Sequence, residues 1–232
     1  MSGAVSGAFS DAYSGVSSGP PIPTMKQSAP AAERNRRPIL EVLSPLLPAR
    51  GQILEVASGP GVHVVCFAAA HPGLQWQPSD PDPAARASIA AWIADSGLAN
   101  VAAPLDLDMT RPDWAARAGG AASYRGVVTI NLLHIAPWAA CEGLMGGAAG
   151  LLAPGGFLFV YGPFMRDGRH NSEGNRQFDQ ALRARDPALG LRDVNDVADC
   201  AARHGLALEA VVEMPANNRS LVFRLDPQRG AF

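Results

Sequence analysis

The sequence has 232 residues, 47% of them hydrophobic and 17% charged, which is typical of one globular domain with a sizeable core. The formal net charge is only -2, and no basic run is present that would bind nucleic acid or an anionic membrane surface. Because no apolar stretch reaches the about 18 residues that a membrane-spanning helix needs, these features favour a cytoplasmic protein that handles small molecules.

The N-terminal segment differs in composition from the rest of the chain. Residues 1–27 are rich in glycine, serine, alanine and proline, and such a segment buries too little apolar surface to offset its ordering entropy. We therefore expect a disordered tail over 1–27 and a single domain over 28–232. Met25 is a second candidate for the start of translation, since the composition becomes typical of a folded domain directly after it.

The rest of the chain alternates between helical and strand patterns. In chain order, we predict a helix from residue 28 to the prolines at 45 and 48, a strand at 53–56, a helix at 62–70, a strand at 74–77, a helix at 84–96, a weaker strand at 101–107, a strand at 127–130, a helix at 139–152, a strand at 157–161, a helix at 194–204, and strands at 206–213 and 220–225. Strands that alternate with helices indicate a three-layer α/β domain with a mostly parallel sheet. The turn-rich link MPANNR indicates that the last two strands form an antiparallel pair.

The stretch ILEVASGPG at 53–61 is the first candidate site. Ser58, Gly59 and Gly61 would let the backbone approach a ligand closely, and the next helix points its N-terminal amides toward the same place. Glu55 could accept a hydrogen bond from a cationic amine, and His63 could contact a ligand carboxylate. On these residues alone the loop could bind a dinucleotide or S-adenosylmethionine. The first is disfavoured by Val64, where the dinucleotide motif needs a third glycine.

Acidic residues follow the next two predicted strands. Asp80, in WQPSDPD, is placed to bind the hydroxyl pair of a ribose. Asp108, in LDLDM, is placed to reach an adenine amino group, and Asp106 is an equal candidate by spacing. Both aspartates therefore favour an adenosine-bearing ligand without deciding which one.

These motifs resemble the class I S-adenosylmethionine-dependent methyltransferases, and more closely the branch of methyltransferase-like protein 26. The resemblance runs from about residue 25 to 225 and rests on SAPAAERN, LEVASGPGVH, WQPSDPD, INLLHIAPW, LLAPGGFLFVYGPF, RDGRHNSEGN, FD, LRARDP and EMPANNRSLVF. It implies a Rossmann-like, mostly parallel, seven-stranded sheet with an antiparallel last strand. It further implies cofactor contacts at Glu55, Ser58, Gly59, Asp80, Asp108 and Asn131. Ala57 departs from the glycine that many class I members have.

Methyl transfer from a sulfonium is an in-line displacement, so positioning of the acceptor and exclusion of water supply much of the catalysis. An acceptor that loses a proton would need a base. Candidates after the fourth and fifth strands are His134, Tyr161 and His170. Arg34 and Asn35, in the predicted N-terminal helix, could fold over the site.

The sequence therefore predicts a methyltransferase that uses S-adenosylmethionine on a small-molecule acceptor, with no nucleic-acid or membrane partner. An alternative is a non-catalytic protein that senses S-adenosylmethionine or S-adenosylhomocysteine. A nicotinamide-dependent oxidoreductase is a weaker alternative. The three cysteines are too far apart to indicate a disulfide framework, and they form no cluster with histidine that would bind metal. The oligomeric state is left open.

Overall fold

A computed structural model describes residues 26–27 and 30–226 of the chain. The disordered tail predicted for 1–27 therefore lies almost wholly outside the described residues. Among the helices described, none is both long enough and apolar enough to cross a membrane.

The strands are β1 (Gly51–Val56), β2 (Leu74–Pro78), β3 (Tyr124–Ile130), β4 (Leu152–Gly162), β5 (Phe164–Met165), β6 (Arg192–Asp193), β7 (Leu206–Met214) and β8 (Asn218–Leu225). Six of them form the central sheet, with the strand order β2-β1-β3-β4-β8-β7. The pairs of β1 with β2, β1 with β3 and β3 with β4 are parallel, whereas β8 runs antiparallel to both β4 and β7. This confirms the predicted α/β class and the antiparallel pair at the end of the chain. The two short strands β5 and β6 pair separately.

Helices cover both faces of the sheet. They are α1 (Pro30–Leu43), α2 (Val62–Ala70), α3 (Pro83–Ser96), α4 (Trp114–Ala118), α5 (Trp138–Leu151), α6 (Glu173–Arg185) and α7 (Val194–Arg203). Apolar side chains of α1, α2 and α3 form one buried cluster with the sheet, and those of α4, α5 and α7 form the other. The three layers that the alternating pattern predicts are therefore present.

The expected seven strands are not all formed. In place of the strand predicted at 101–107, two isolated bridges join Val101 to Trp76 and Leu105 to Ser79. Pro104 lies between them and has no amide hydrogen to donate to a ladder, which explains why the segment follows β2 without becoming a strand. The sheet has six strands for this reason.

The helix α6 was not predicted either. Its sequence EGNRQFDQALRAR is mostly polar and buries only Asn175, Asp179 and Leu182, so the apolar stripe that marks a helix is weak. The Ser172 hydroxyl caps its N-terminus by accepting from the amide of Asn175.

Candidate active site

The loop after β1 is tied to the end of β2. The amide of Ser58 donates to the carbonyl of Ser79 over 2.8 Å, and the Ser79 hydroxyl donates to the carbonyl of Glu55 over 2.9 Å. Ala57 and Gly59 both have left-handed backbone, with φ of 54° and 56°. Alanine adopts this conformation at a cost, so the surrounding hydrogen bonds must hold the loop in its shape.

Glu55 lies buried at the end of β1, with 1% of its surface exposed. By the alternation of the strand it shares a face with Ile53, whose side chain packs in the cluster under α1, α2 and α3. Neither carboxyl oxygen has a hydrogen-bond partner among the described residues. The nearby Ser58 hydroxyl donates to the backbone carbonyl of Glu55 over 3.2 Å and not to its carboxyl. Burial raises the pKa of Glu55 to about 8, an effect that the Ser58 side chain opposes and the charge of Asp80 strengthens. A buried acceptor without a donor is unusual in a folded protein and is typical of a ligand site.

Asp80 lies directly after β2 and faces the same loop. Its Oδ2 accepts from the Gly59 amide over 2.9 Å, and its Oδ1 accepts from the Asp82 amide over 3.0 Å. Burial raises the pKa of Asp80, and these two backbone donors act in the opposite direction. Each carboxylate oxygen keeps a free lone pair, so Asp80 can accept from further donors such as hydroxyl groups.

A cavity of about 390 Å³, here called the acidic cavity, opens beside Asp80. Asp108 lines it, and its Oδ1 accepts from the amide and hydroxyl of Thr110. Asp106 does not line it, because its half-exposed carboxylate lies beside the guanidinium groups of Arg86 and Arg117. The structure therefore places Asp108, and not Asp106, with Asp80. The other lining residues are Ala57, Pro81, Leu107, Met109, Thr110, Leu132, Ile135, Ala136, Pro137 and Ala140.

A second cavity, of about 520 Å³, is here called the aromatic cavity because His134, Tyr161 and Phe178 line it. Ile135 lines both cavities, so they are neighbours. The remaining lining residues are Ala31, Arg34, Asn35, Pro38, Asn131, Pro163, Asn175, Pro215, Ala216 and Asn218.

Two of the predicted catalytic residues, His134 and Tyr161, therefore lie together. Burial, together with the charge of Arg192, lowers the pKa of His134 to about 4, so its imidazole is neutral at physiological pH and is a weaker base than a free imidazole. Burial raises the pKa of Tyr161, an effect that the Asn35 side chain opposes.

Asn131 follows β3 and also lines the aromatic cavity. Its φ of 61° is left-handed, and its amide donates to the carbonyl of Tyr161 over 2.8 Å. Its side-chain amide forms no hydrogen bond with the described residues and remains available to a ligand. Strained backbone of this kind is concentrated at functional sites.

His63 and Gly61 have structural partners of their own. Nε2 of His63 donates to the side-chain oxygen of Asn35 over 2.7 Å and so ties α2 to α1, while burial lowers the pKa of His63 to about 4. A Cβ at Gly61 would lie 2.9 Å from Cα of Ile89, so Gly61 allows the close approach of α3. The two residues lie next to the site, but they line neither cavity.

His170 is the predicted catalytic residue that the structure does not bring to the others. It lines neither cavity, and its Nε2 lies 2.9 Å from Oδ2 of Asp179. Asp179 also accepts from Arg183 and from the amide of Leu191, and it holds α6 in place. His170 therefore belongs to the group that anchors α6.

Sequence reasoning missed part of the aromatic cavity. Phe178 comes from α6, and Pro215, Ala216 and Asn218 come from the turn between β7 and β8, both far from the glycine loop in sequence. The signal that the sequence offered was a single aromatic residue, Phe178, in an otherwise mostly polar stretch. Arg34 and Asn35 do line the cavity, as expected of a helix that folds over the site.

Comparisons with known proteins agree with this architecture. A family model described as a protein of unknown function, DUF938, matches residues 26–225. Among solved structures, an O-methyltransferase family protein from Burkholderia thailandensis is 21% identical with a TM-score of 0.69, over 84% of this chain and 58% of that one. The mitomycin 7-O-methyltransferase MmcR is 15% identical with a TM-score of 0.68, over 83% of this chain and 54% of that one.

A third structure is CalO1, a methyltransferase in calicheamicin biosynthesis solved in its S-adenosylhomocysteine-bound form. It is 18% identical with a TM-score of 0.64, over 84% of this chain and 54% of that one. The chain thus spans a little over half the length of these three proteins. At these identities the likeness shows a shared fold, the Rossmann-like α/β fold of class I methyltransferases.

Proposed function

Since the chain belongs to the DUF938 family of proteins of unknown function, we propose an activity from its candidate site: it is an S-adenosylmethionine-dependent methyltransferase of a small-molecule acceptor. The observation that carries this proposal is the buried Glu55 carboxyl without a hydrogen-bond partner. Glu55 itself lines neither cavity, but Ala57, two residues after it, and Asp80 line the acidic cavity. The methyltransferases that share the fold support it.

The residues present fit this cofactor. Glu55 has two unpaired oxygens for a cationic amine, and the ammonium of a methionine moiety is such a donor. The acidic cavity offers the lone pairs of Asp80 to ribose hydroxyls and the carboxylate of Asp108 to an exocyclic amine. A Cβ at Gly59 would meet no atom within 4 Å, which leaves room beside the loop backbone.

We assign the remaining roles in the same way. Glu55, Ser58, Gly59, Asp80, Asp108 and Asn131 would hold the cofactor, while Gly61 and His63 would shape the loop and the start of α2. When bound, S-adenosylmethionine supplies an electrophilic methyl group on its sulfonium. The residues of the aromatic cavity orient the acceptor and exclude water from it.

His134 would act as the base. Its neutral imidazole lines the aromatic cavity and has no hydrogen bond to a described residue, so it is free to accept a hydrogen bond from an acceptor hydroxyl. Because its low pKa makes it a weak base, it would take the proton only as the acceptor oxygen bonds to the methyl group. The Tyr161 hydroxyl would orient the acceptor from the end of β4. His170 is left out of this assignment because Asp179 holds it.

The acceptor is proposed to be a small molecule because the aromatic cavity, at about 520 Å³, is of a size that encloses one. As part of the same proposal, we assign the chain to the methyltransferase-like protein 26 branch, and the motif resemblance supports this assignment. A protein that only senses the cofactor is the competing function.

Titration calorimetry of the full chain with S-adenosylmethionine, beside a Glu55→Ala, Asp80→Ala double variant, tests the cofactor. Incubation with methyl-labelled cofactor and an extract of the source organism, separated into small molecules, protein and nucleic acid, then tests the reaction. Binding by the wild type alone, with label in the small-molecule fraction, is the expected result. Binding without any labelled product would favour the sensor, and failure of the wild type to bind would overturn the proposal.

A further inference from the structure

The walls of the aromatic cavity indicate the chemical class of the acceptor, an inference that rests on the proposed function. Among the described residues, Ile135 and Phe178 are the large hydrophobic side chains that remain most exposed, at 55% and 41% of their surface. Both line this cavity, although they come from the loop after β3 and from α6, and Ile135 also lines the acidic cavity. Apolar surface that converges on a cavity from two elements is typical of a site that binds an apolar group.

The same cavity presents rings to its occupant. The Phe178 ring meets the His134 ring edge to face, with centroids 5.6 Å apart and planes at 63°. Tyr161 adds a third ring from the end of β4. Aromatic side chains favour stacked and edge-on contacts with other aromatic rings, so a flat ring suits this space better than a flexible alkyl chain does.

The charge in the cavity is one-sided. Its fourteen lining residues include one guanidinium, that of Arg34, and no carboxylate. The neighbouring Glu33 pairs with Arg36 over 2.9 Å, while Arg34 forms no ion pair or hydrogen bond with the described residues. The Arg34 guanidinium is therefore free to bind an anion in the bidentate way that this group favours.

A single guanidinium matches a single negative charge. A phosphate carries up to two charges at neutral pH and would be expected to meet more than one cation, whereas a carboxylate is satisfied by one fork of two N–H donors. The four asparagines of the cavity, Asn35, Asn131, Asn175 and Asn218, add no charge.

We propose that the acceptor is an aromatic carboxylic acid, whose ring lies against Phe178 and Ile135 and whose carboxylate is bound by Arg34. The carboxylate at Arg34 fixes which edge of the ring faces His134. The methyl-accepting group is then a second substituent of the ring, such as a hydroxyl.

A pair of probes that differ only in charge tests this. The full-length chain is titrated with 2-naphthoate and with 2-naphthamide, which have almost the same shape, and the dissociation constants are measured by ligand-detected NMR. The variants are Arg34→Gln, Arg34→Lys and Phe178→Ala, all at exposed side chains. The affinity of each variant for S-adenosylmethionine is measured beside them.

We expect the wild type to bind the acid at least about tenfold more tightly than the amide, a ratio that one charge-assisted contact can supply. The ratio should fall to near one in Arg34→Gln and recover in part in Arg34→Lys, whereas Phe178→Ala should weaken both probes by a similar factor. Equal binding of acid and amide by the wild type, an acid preference that survives Arg34→Gln, or binding of neither probe would overturn the inference. If the wild type does not bind S-adenosylmethionine but still prefers the acid to the amide, the result instead counts against the proposed function.

Discussion

The backbone amide of Gly59 donates to Oδ2 of Asp80 over 2.9 Å, so the glycine loop after β1 and the acidic residue after β2 form one unit. Parallel pairing of the two strands brings their carboxyl ends to the same edge, with Glu55 in register with Pro78. A change in Asp80 therefore alters both the shape of the loop and the lone pairs that face the acidic cavity.

Asp80→Asn should weaken S-adenosylmethionine binding by at least about tenfold. An amide has one oxygen and cannot accept from both the Gly59 and Asp82 amides, and its NH₂ would face one of these donors. Asp82→Asn is the matched control, because its side chain caps α3 by accepting from Ala84, and asparagine caps as well. Calorimetric titration of both variants checks this, and equal affinities would contradict it.

Binding of the cofactor amine should release a proton from Glu55. With a pKa of about 8, about nine-tenths of the Glu55 carboxyl is protonated at pH 7, and a cation beside it favours the ionised form. Calorimetry in buffers of different ionisation enthalpy should show close to one proton released per S-adenosylmethionine, and none in Glu55→Gln. The control ligand 5′-methylthioadenosine lacks the amine and should release none from either protein. The same release from wild type and variant would rule out this role of Glu55.

The same carboxyl should make the ligand-free protein less stable as pH rises. The folded pKa of about 8 lies above the unfolded value of 4.5, so between these pH values the folded state binds more protons and its free energy of unfolding falls with pH. The contribution approaches about 1.4 kcal/mol per pH unit. Glu55→Gln does not titrate, so its stability relative to the wild type should rise from pH 5 to pH 8 in urea denaturation. If the difference in stability between Glu55→Gln and the wild type does not change with pH, the Glu55 carboxyl is not buried and unpaired.

The two glycines of the loop should respond differently to alanine. Gly61→Ala combines a φ of 98° with a Cβ 2.9 Å from Cα of Ile89, and we expect a loss of about 2–4 kcal/mol in the free energy of unfolding. Gly59→Ala meets no atom within 4 Å and should cost about 1 kcal/mol, for its φ of 56°. The ligand-binding effect should be the reverse, with Gly59→Ala losing more affinity for S-adenosylmethionine than its stability loss explains. Thermal denaturation checks which variant loses more stability, and calorimetry checks which variant loses more affinity for S-adenosylmethionine.

The positions of Glu55, Gly59 and Asp80 were predictable because they depend on a simple rule. Parallel strands bring their carboxyl ends together, so residues that end successive strands become neighbours even without a known structure. Asp106 and Asp108 were left as equal candidates because their segment forms only two bridges, and the alternation of a regular strand does not apply to it. The helix α6 was missed because its polar sequence is held in place by the buried Asp179, whose contacts with His170 and Leu191 leave no apolar periodicity in the sequence.

The two histidines that sequence reasoning treated alike, His134 and His170, should separate by experiment. His134→Asn should lower the rate of labelled methyl transfer by about 10²- to 10⁴-fold, the range of general-base catalysis, and leave the affinity for S-adenosylmethionine unchanged. His170→Asn should leave the rate within about twofold and lower the free energy of unfolding by about 1 kcal/mol, because it breaks the contact with Asp179. Transfer rates, cofactor affinity and urea denaturation of both variants distinguish these roles. A rate loss confined to His170→Asn would move the proposed base from the aromatic cavity to the anchor of α6.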